Sequence, residues 1–133
     1  MIRYAGEKDI PILFEMDKHI SIEELESSIR LKRILVLFDD EIFAGWLRYN
    51  LFWDNTPFMN MLYVTESERG KGYGKELVNF WENEMKRKGY NRVLTSTLAN
   101  EQAQFFYRKL GYTDSGALLL PDEPLEIIFY KNL

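Results

Sequence analysis

One stretch of the chain decides the fold: residues 58–89, which read FMNMLYVTESERGKGYGKELVNFWENEMKRKG. Its apolar start, 58–64, predicts a buried β-strand. A glycine-rich turn follows at 69–74, and apolar residues then recur at helical spacing, at Leu77, Val78, Trp81 and Met85. Gly89 predicts the end of that helix, since glycine readily adopts the left-handed conformation found there. The stretch therefore predicts a strand, a turn and a helix in succession.

The glycine-rich turn has the features of an anion site. Gly70, Gly72 and Gly74 lack a Cβ, so backbone N–H groups can approach a ligand closely and φ can become positive. The following helix begins within the turn, and its unpaired amides and positive dipole end point to the same place. The turn also carries cations, at Arg69, Lys71 and Lys75. We therefore predict that residues 69–75, Tyr73 included, hold a phosphate group.

Two common phosphate motifs do not fit this turn. A P-loop requires serine or threonine after Gly-Lys, whereas Glu76 follows Gly74 and Lys75. The dinucleotide fingerprint requires its third glycine three residues after the second, whereas Gly74 lies two after Gly72. The turn taken alone is also compatible with a flexible loop that carries solvated lysines.

The rest of the chain predicts a mixed α and β protein. Apolar alternation and turn residues predict strands near 2–5, 34–38, 42–52, 92–98, 112–120 and 125–130. Helical spacing predicts three further helices. The first begins at about Asp9, the second begins at a capping box formed by Ser21 and Glu24, and the third runs from Ala103 to Leu110. The core order is ββαβαββ, with two helices inserted early.

Composition excludes several classes of function. A chain of 133 residues predicts a single domain, residues 1–133. It contains no cysteine, so a cysteine nucleophile and a thiolate metal site are excluded, and the only histidine, His19, is predicted to be a solvated loop residue. The net charge of −4 disfavours nucleic-acid binding. Without an apolar run of membrane-spanning length, a cytoplasmic protein with no membrane contact is expected; a homodimer is compatible with the sequence.

Two motifs, in order and at the right separation, resemble those of the GNAT acetyltransferase superfamily. The pyrophosphate signature of that family matches Arg69, Gly72 and Gly74. A second family motif matches Asn100, Ala103, Tyr107, Leu110, Gly111 and Tyr112. The resemblance implies an α/β (α+β) fold with a mostly antiparallel sheet of about seven strands, about four flanking helices, and a splayed strand pair that holds acetyl-CoA.

The resemblance also implies roles for particular residues. Residues Gly70 to Lys75 would hold the pyrophosphate of acetyl-CoA, and Asn100 would bind its pantetheine arm. The backbone of Leu62, Tyr63 and Val64 would pair with the same arm as an added strand does. Tyr107 would protonate the leaving thiolate while an acceptor amine attacks directly, with no metal.

The general base and the acceptor are less defined by the sequence. The strand at 58–64 offers Asn60 where some relatives have a carboxylate, so Glu126 and Asp54 are the candidate bases, with water as an alternative. One set of residues could line the acceptor side: Glu23, Glu24, Glu26, Trp46, Arg48, Tyr49, Phe52 and Trp53. The favoured interpretation is that Trp46 and Phe52 pack in the core and that the glutamates form a solvated helix face. The acceptor is a small-molecule amine or a peptide; a protein N-terminal or lysine acetylase and a non-catalytic acyl-CoA-binding regulator are the alternatives.

Overall fold

The computed structural model describes residues 1–133. Its strands are β1 (Ile2–Tyr4), β2 (Ile34–Asp39), β3 (Ile42–Phe52), β4 (Thr56–Val64), β5 (Arg92–Leu98), β6 (Thr113–Leu118) and β7 (Glu126–Asn132). Its helices are α1 (Ile10–Met16), α2 (Ile22–Arg30), α3 (Tyr73–Arg87) and α4 (Ala103–Lys109). This arrangement confirms the predicted fold class and the order of its elements.

All strands join one sheet in the order β1-β2-β3-β4-β5-β7-β6. Every neighbouring pair is antiparallel except β4 and β5. These two parallel strands pair at only two positions, Phe58 with Leu94 and Met59 with Thr95. Beyond Met59 they diverge, because β4 continues beside β3 while β5 continues beside β7. The divergence opens a cleft through the middle of the sheet.

The two faces of the sheet bury separate clusters. Helix α3 contributes the apolar stripe predicted from the sequence, and its Leu77, Val78, Trp81 and Met85 are all fully buried against one face. The opposite face packs against α1 and α2 around Trp46 and Leu25. The two predicted helix ends are also observed: the Ser21 hydroxyl accepts the N–H of Glu24 at 3.2 Å, and Gly89 has φ of 96°. No helix is both long and apolar enough to cross a membrane.

Candidate active site

The divergence of β4 and β5 forms a cavity of about 520 Å³. Its walls are residues 59–63 of β4 and 95–98 of β5. Tyr107 and Ala103 close it from α4, Glu126 from β7, and His19 from the turn between α1 and α2. Two backbone edges without a sheet partner therefore meet a buried phenol and a small set of polar side chains.

Tyr107 lies at the buried end of this cavity with 6% of its surface exposed. Its ring packs against Phe106, Tyr112 and Phe129, with centroids 5.3, 5.7 and 6.1 Å away. Burial raises the pKa of Tyr107 to about 12, and the nearby Thr95 side chain offsets part of that rise. The phenol is therefore neutral at neutral pH and retains the proton that a general acid requires, although it is a weaker acid than an ordinary tyrosine.

A second, smaller cavity of about 200 Å³ lies at the N-terminus of α3. The N-cap residue Gly72 has φ of 83° and ψ of 11°, the left-handed conformation that favours glycine. No N–H from Gly70 to Lys75 donates to an acceptor within the protein. A row of free amides at the positive end of a helix is a ready anion site. An anion site in this turn stays a prediction, which these amides support.

The three cations of the turn are not equivalent in the structure. The ammonium of Lys71 lies 3.2 Å from Glu68 and 3.6 Å from Asp39, and its side chain does not line the cavity. The Arg69 Nε donates to the carbonyl oxygen of Val64 at 2.9 Å. Lys75 lines the cavity and makes no ion pair. The expectation that all three supply free charge is therefore wrong for Lys71.

The same carboxylates attach the glycine turn to β2. The nearby Tyr73 phenol lowers the pKa of Asp39, and the charge of Lys71 lowers it further. The Asp39 carboxylate in turn raises the pKa of Tyr73 to about 12. Lys71 thus forms an ion pair with Asp39 at the end of β2 at 3.6 Å, and the Tyr73 phenol lies near the same carboxylate. The turn is fixed by side chains while its amides stay free.

Asn100 does not lie on α4, because that helix begins at Ala103. Although Asn100 and Tyr107 are about two helical turns apart in sequence, their side chains therefore do not share one helix face. Gln104 fixes the preceding turn by donating to the carbonyl oxygens of Ala99 and Glu101, at 2.8 and 2.9 Å. Asn100 is exposed and lines neither cavity, whereas its neighbour Glu101 lines the larger one.

The structure separates the two candidate bases. Glu126 lines the larger cavity together with Tyr107. Asp54 lies in the turn between β3 and β4 at φ of 64° and lines none of the cavities described here. Of the side chains expected on the acceptor side, Trp46, Arg48 and Tyr49 are buried, as the core interpretation required. Trp53 is 78% exposed but lies away from the larger cavity.

Sequence reasoning missed several residues of the cavity. His19 is an exposed turn residue, as predicted, but it also lines the cavity wall. Thr95 and Thr97 are polar and almost fully buried on β5, and the Thr95 hydroxyl donates to the Met59 carbonyl oxygen at 3.0 Å. Polar residues at alternate, inward positions of an otherwise apolar strand are the signal that would have identified them.

The glycine turn, and every lining residue of the larger cavity except Glu126, lie within one segment that matches a family model. A model of the "Acetyltransferase (GNAT) family" matches residues 7–112. The chain belongs to the GNAT acetyltransferase family. This match includes both the glycine turn and Tyr107. No curated protein matches the chain.

Several solved GNAT structures share the fold. Ard1 from Thermoplasma volcanium has a TM-score of 0.85 at 15% identity, covering 100% of this chain and 97% of its own. The ribosomal-protein-alanine N-acetyltransferase from Brucella melitensis has a TM-score of 0.82 at 18% sequence identity, and the alignment covers 100% of this chain and 99% of that one. The PaiA N-acetyltransferase from Thermoplasma acidophilum, solved with coenzyme A, has a TM-score of 0.76 at 22% sequence identity, and the alignment covers 100% of this chain and 98% of that one. At these identities the likeness establishes the GNAT fold.

Proposed function

We propose that this protein transfers an acetyl group from acetyl-CoA directly to a primary amine of a small molecule or peptide, and that residues 1–133 act as one domain. The observation that carries the proposal is the cavity itself. It joins the diverging edges of β4 and β5 to the buried, neutral phenol of Tyr107. Family membership supports acetyl-CoA as the donor.

Three groups would hold acetyl-CoA. The free amides of Gly70 to Lys75 would bind the pyrophosphate, with charge from Arg69 and Lys75. The backbone of Leu62 to Val64 has no partner on the β5 side and would pair with the pantetheine arm as an added strand does. Asn100, exposed at the start of the α4 turn, would bind the same arm, a role that rests on the family resemblance.

The chemistry uses one proton donor from the protein. The acceptor loses a proton from its ammonium group, and the free amine nitrogen bonds to the acetyl carbon. The carbon–sulfur bond then breaks, and the sulfur takes the proton of the Tyr107 phenol. The phenol is restored by the proton that leaves the new amide nitrogen. The chain contains no cysteine, so a cysteine acyl-enzyme plays no part.

Glu126 is the preferred candidate for the base that takes the ammonium proton. It lines the cavity from β7, opposite the β4 edge, whereas Asp54 does not. Transfer of the proton through a water molecule is the alternative route. Glu126→Gln would separate the two, because it removes the base without removing the water.

The proposal is tested by incubating the protein with acetyl-CoA and a set of amines and peptides. Free thiol release would report turnover, and mass spectrometry would identify the acetylated nitrogen. Thiol release that depends on the amine is the expected result. Binding of acetyl-CoA without transfer to any acceptor would instead favour a non-catalytic acyl-CoA-binding regulator. Transfer restricted to protein N-termini or lysines would assign a protein acetylase.

A further inference from the structure

A side recess of about 260 Å³ opens beside the larger cavity. It is lined by Met16, Lys18, His19, Trp46, Met61 and Tyr63. His19, Met61 and Tyr63 also line the larger cavity, so the two spaces share a wall. A group bound in the recess would therefore lie next to the place where the amine is acetylated.

Trp46, Met16 and Met61 form a rigid and largely apolar floor of the recess, in which the buried indole N–H of Trp46 has no hydrogen-bond partner. Trp46 is 1% exposed and is held between two rings, with its centroid 6.0 Å from Phe43 and 4.9 Å from Tyr63. The thioethers of Met16 and Met61 complete the floor, and such side chains adapt to apolar groups of varied shape. The lining suits a branched aliphatic group, a thioether or a single aromatic ring.

A buried ion pair fixes the turn that forms the outer wall. The Arg48 Nε on β3 lies 3.0 Å from Asp17 Oδ2, and these side chains are 10% and 2% exposed. The other carboxylate oxygen of Asp17 accepts the backbone N–H of His19 at 3.1 Å. The turn between α1 and α2 is thereby anchored to the sheet. The recess is a fixed feature of the fold rather than a gap beside a loose loop.

The charges of the two spaces differ in sign. The recess is lined by Lys18 and by no carboxylate, and His19 lines both spaces. The larger cavity is lined by Glu101 and Glu126 and by no lysine or arginine. An ammonium group is favoured on the carboxylate side, whereas a second cation in the recess would lie beside Lys18 without a counter-charge.

We infer that the acceptor is a primary amine with one compact apolar or aromatic substituent, which occupies the recess, and with no second cationic group there. This inference rests on the proposed acetyl transfer to an amine. Diamines and polyamines are accordingly poor acceptors. A free amine and a peptide N-terminus with an apolar first side chain share this chemistry, and the experiment distinguishes them.

The test compares matched acceptors. Isoamylamine and putrescine have chains of similar length, but one ends in methyl groups and the other in a second ammonium. Isoamylamine is expected to have a kcat/KM higher by roughly 10- to 100-fold, the span of discrimination that a small apolar pocket gives. Equal or better use of putrescine would overturn the inference and leave the proposed transfer standing. Leu-Ala-Ala and Lys-Ala-Ala peptides repeat the comparison for N-termini.

Two variants locate the preference in the recess. Met16→Trp fills it and is expected to lower kcat/KM for isoamylamine about 10-fold with acetyl-CoA affinity unchanged. Lys18→Glu adds a carboxylate at an exposed position and is expected to reduce the ratio of kcat/KM for isoamylamine to kcat/KM for putrescine. Phe14→Trp enlarges a half-exposed residue of the same helix outside the recess and is the matched control. If Met16→Trp folds and discriminates as wild type does, the recess is not the acceptor site.

A binding measurement covers the case in which no acceptor turns over. Isoamylamine is titrated by calorimetry into the complex of the protein with coenzyme A. Binding that Met16→Trp abolishes supports the recess even though the proposed transfer has failed. Binding that is absent in wild type, or unchanged in Met16→Trp, overturns the inference.

Discussion

Replacing Tyr107 with phenylalanine removes one hydroxyl from the buried end of the cavity and keeps the ring. The contacts of that ring with Phe106, Tyr112 and Phe129 are made by carbon atoms and survive the change. The Thr95 hydroxyl keeps its own acceptor, the Met59 carbonyl oxygen at 3.0 Å. We therefore expect a folded variant that binds acetyl-CoA with wild-type affinity.

The loss of rate can be worked out from the acids available. Without the phenol the sulfur must take its proton from water, whose pKa is ~15.7. The pKa of Tyr107 is raised by burial to about 12, so the replacement acid is weaker by roughly 3.7 pKa units. If between half and all of that difference is expressed in the transition state, the chemical step slows by roughly 10²- to 10⁴-fold. This corresponds to an activation free energy higher by about 3 to 5 kcal/mol.

The assay is a single-turnover experiment with excess protein over acetyl-CoA, because product release can hide a slow chemical step. Tyr112→Phe is the matched control, since that tyrosine is also buried and its hydroxyl donates to Glu82 at 2.8 Å outside the cavity. The control is expected to lose stability but not single-turnover rate. A wild-type rate for Tyr107→Phe in this assay would mean that Tyr107 only packs and that water protonates the sulfur.

Three other outcomes are expected. Lys75→Gln should weaken acetyl-CoA binding by about 5-fold and reduce its salt dependence, whereas Lys71→Gln, whose ammonium already faces carboxylates, should do neither; calorimetry at two salt concentrations checks both. Asp17→Ala leaves the buried Arg48 without a counter-charge and should cost about 3 to 5 kcal/mol in urea unfolding, and a loss below 1 kcal/mol would contradict a buried pair. The raised pKa of Tyr107 stabilises the folded state below pH ~10, and this stabilisation is lost as the pH rises toward about 12. The free energy of unfolding should therefore fall by up to about 3 kcal/mol over that pH range. In Tyr107→Phe it should fall less steeply, which urea unfolding at several pH values would measure.

The sequence predicted most of the fold because its signals are local. The stripe at Leu77, Val78, Trp81 and Met85 has helical period, and these side chains are buried together in the structure. The glycine turn could be placed for the same reason, since a strand precedes it and a helix follows. Periodicity depends only on neighbouring residues, so no distant contact was needed.

The parts that escaped prediction depend on distant partners. Lys71 does not line the anion cavity, because its ammonium is held by Glu68 at 3.2 Å and by Asp39, from another strand, at 3.6 Å. His19 lines the cavity because Asp17 and Arg48, far apart in sequence, fix its turn. A single sequence contains no periodic signal for any of these contacts.

The charge of the chain explains how an acidic protein can bind an anionic donor. With a net charge of −4, long-range attraction does not draw the donor in, so binding must depend on groups that act at short range. The free amides of Gly70 to Lys75 are such groups, and they carry no net charge. Lys71 forms an ion pair with Glu68, which leaves Lys75 and Arg69 as the side-chain cations beside the amides. Affinity for acetyl-CoA should therefore depend on salt through about two charges, far more weakly than for a site built from a lysine cluster.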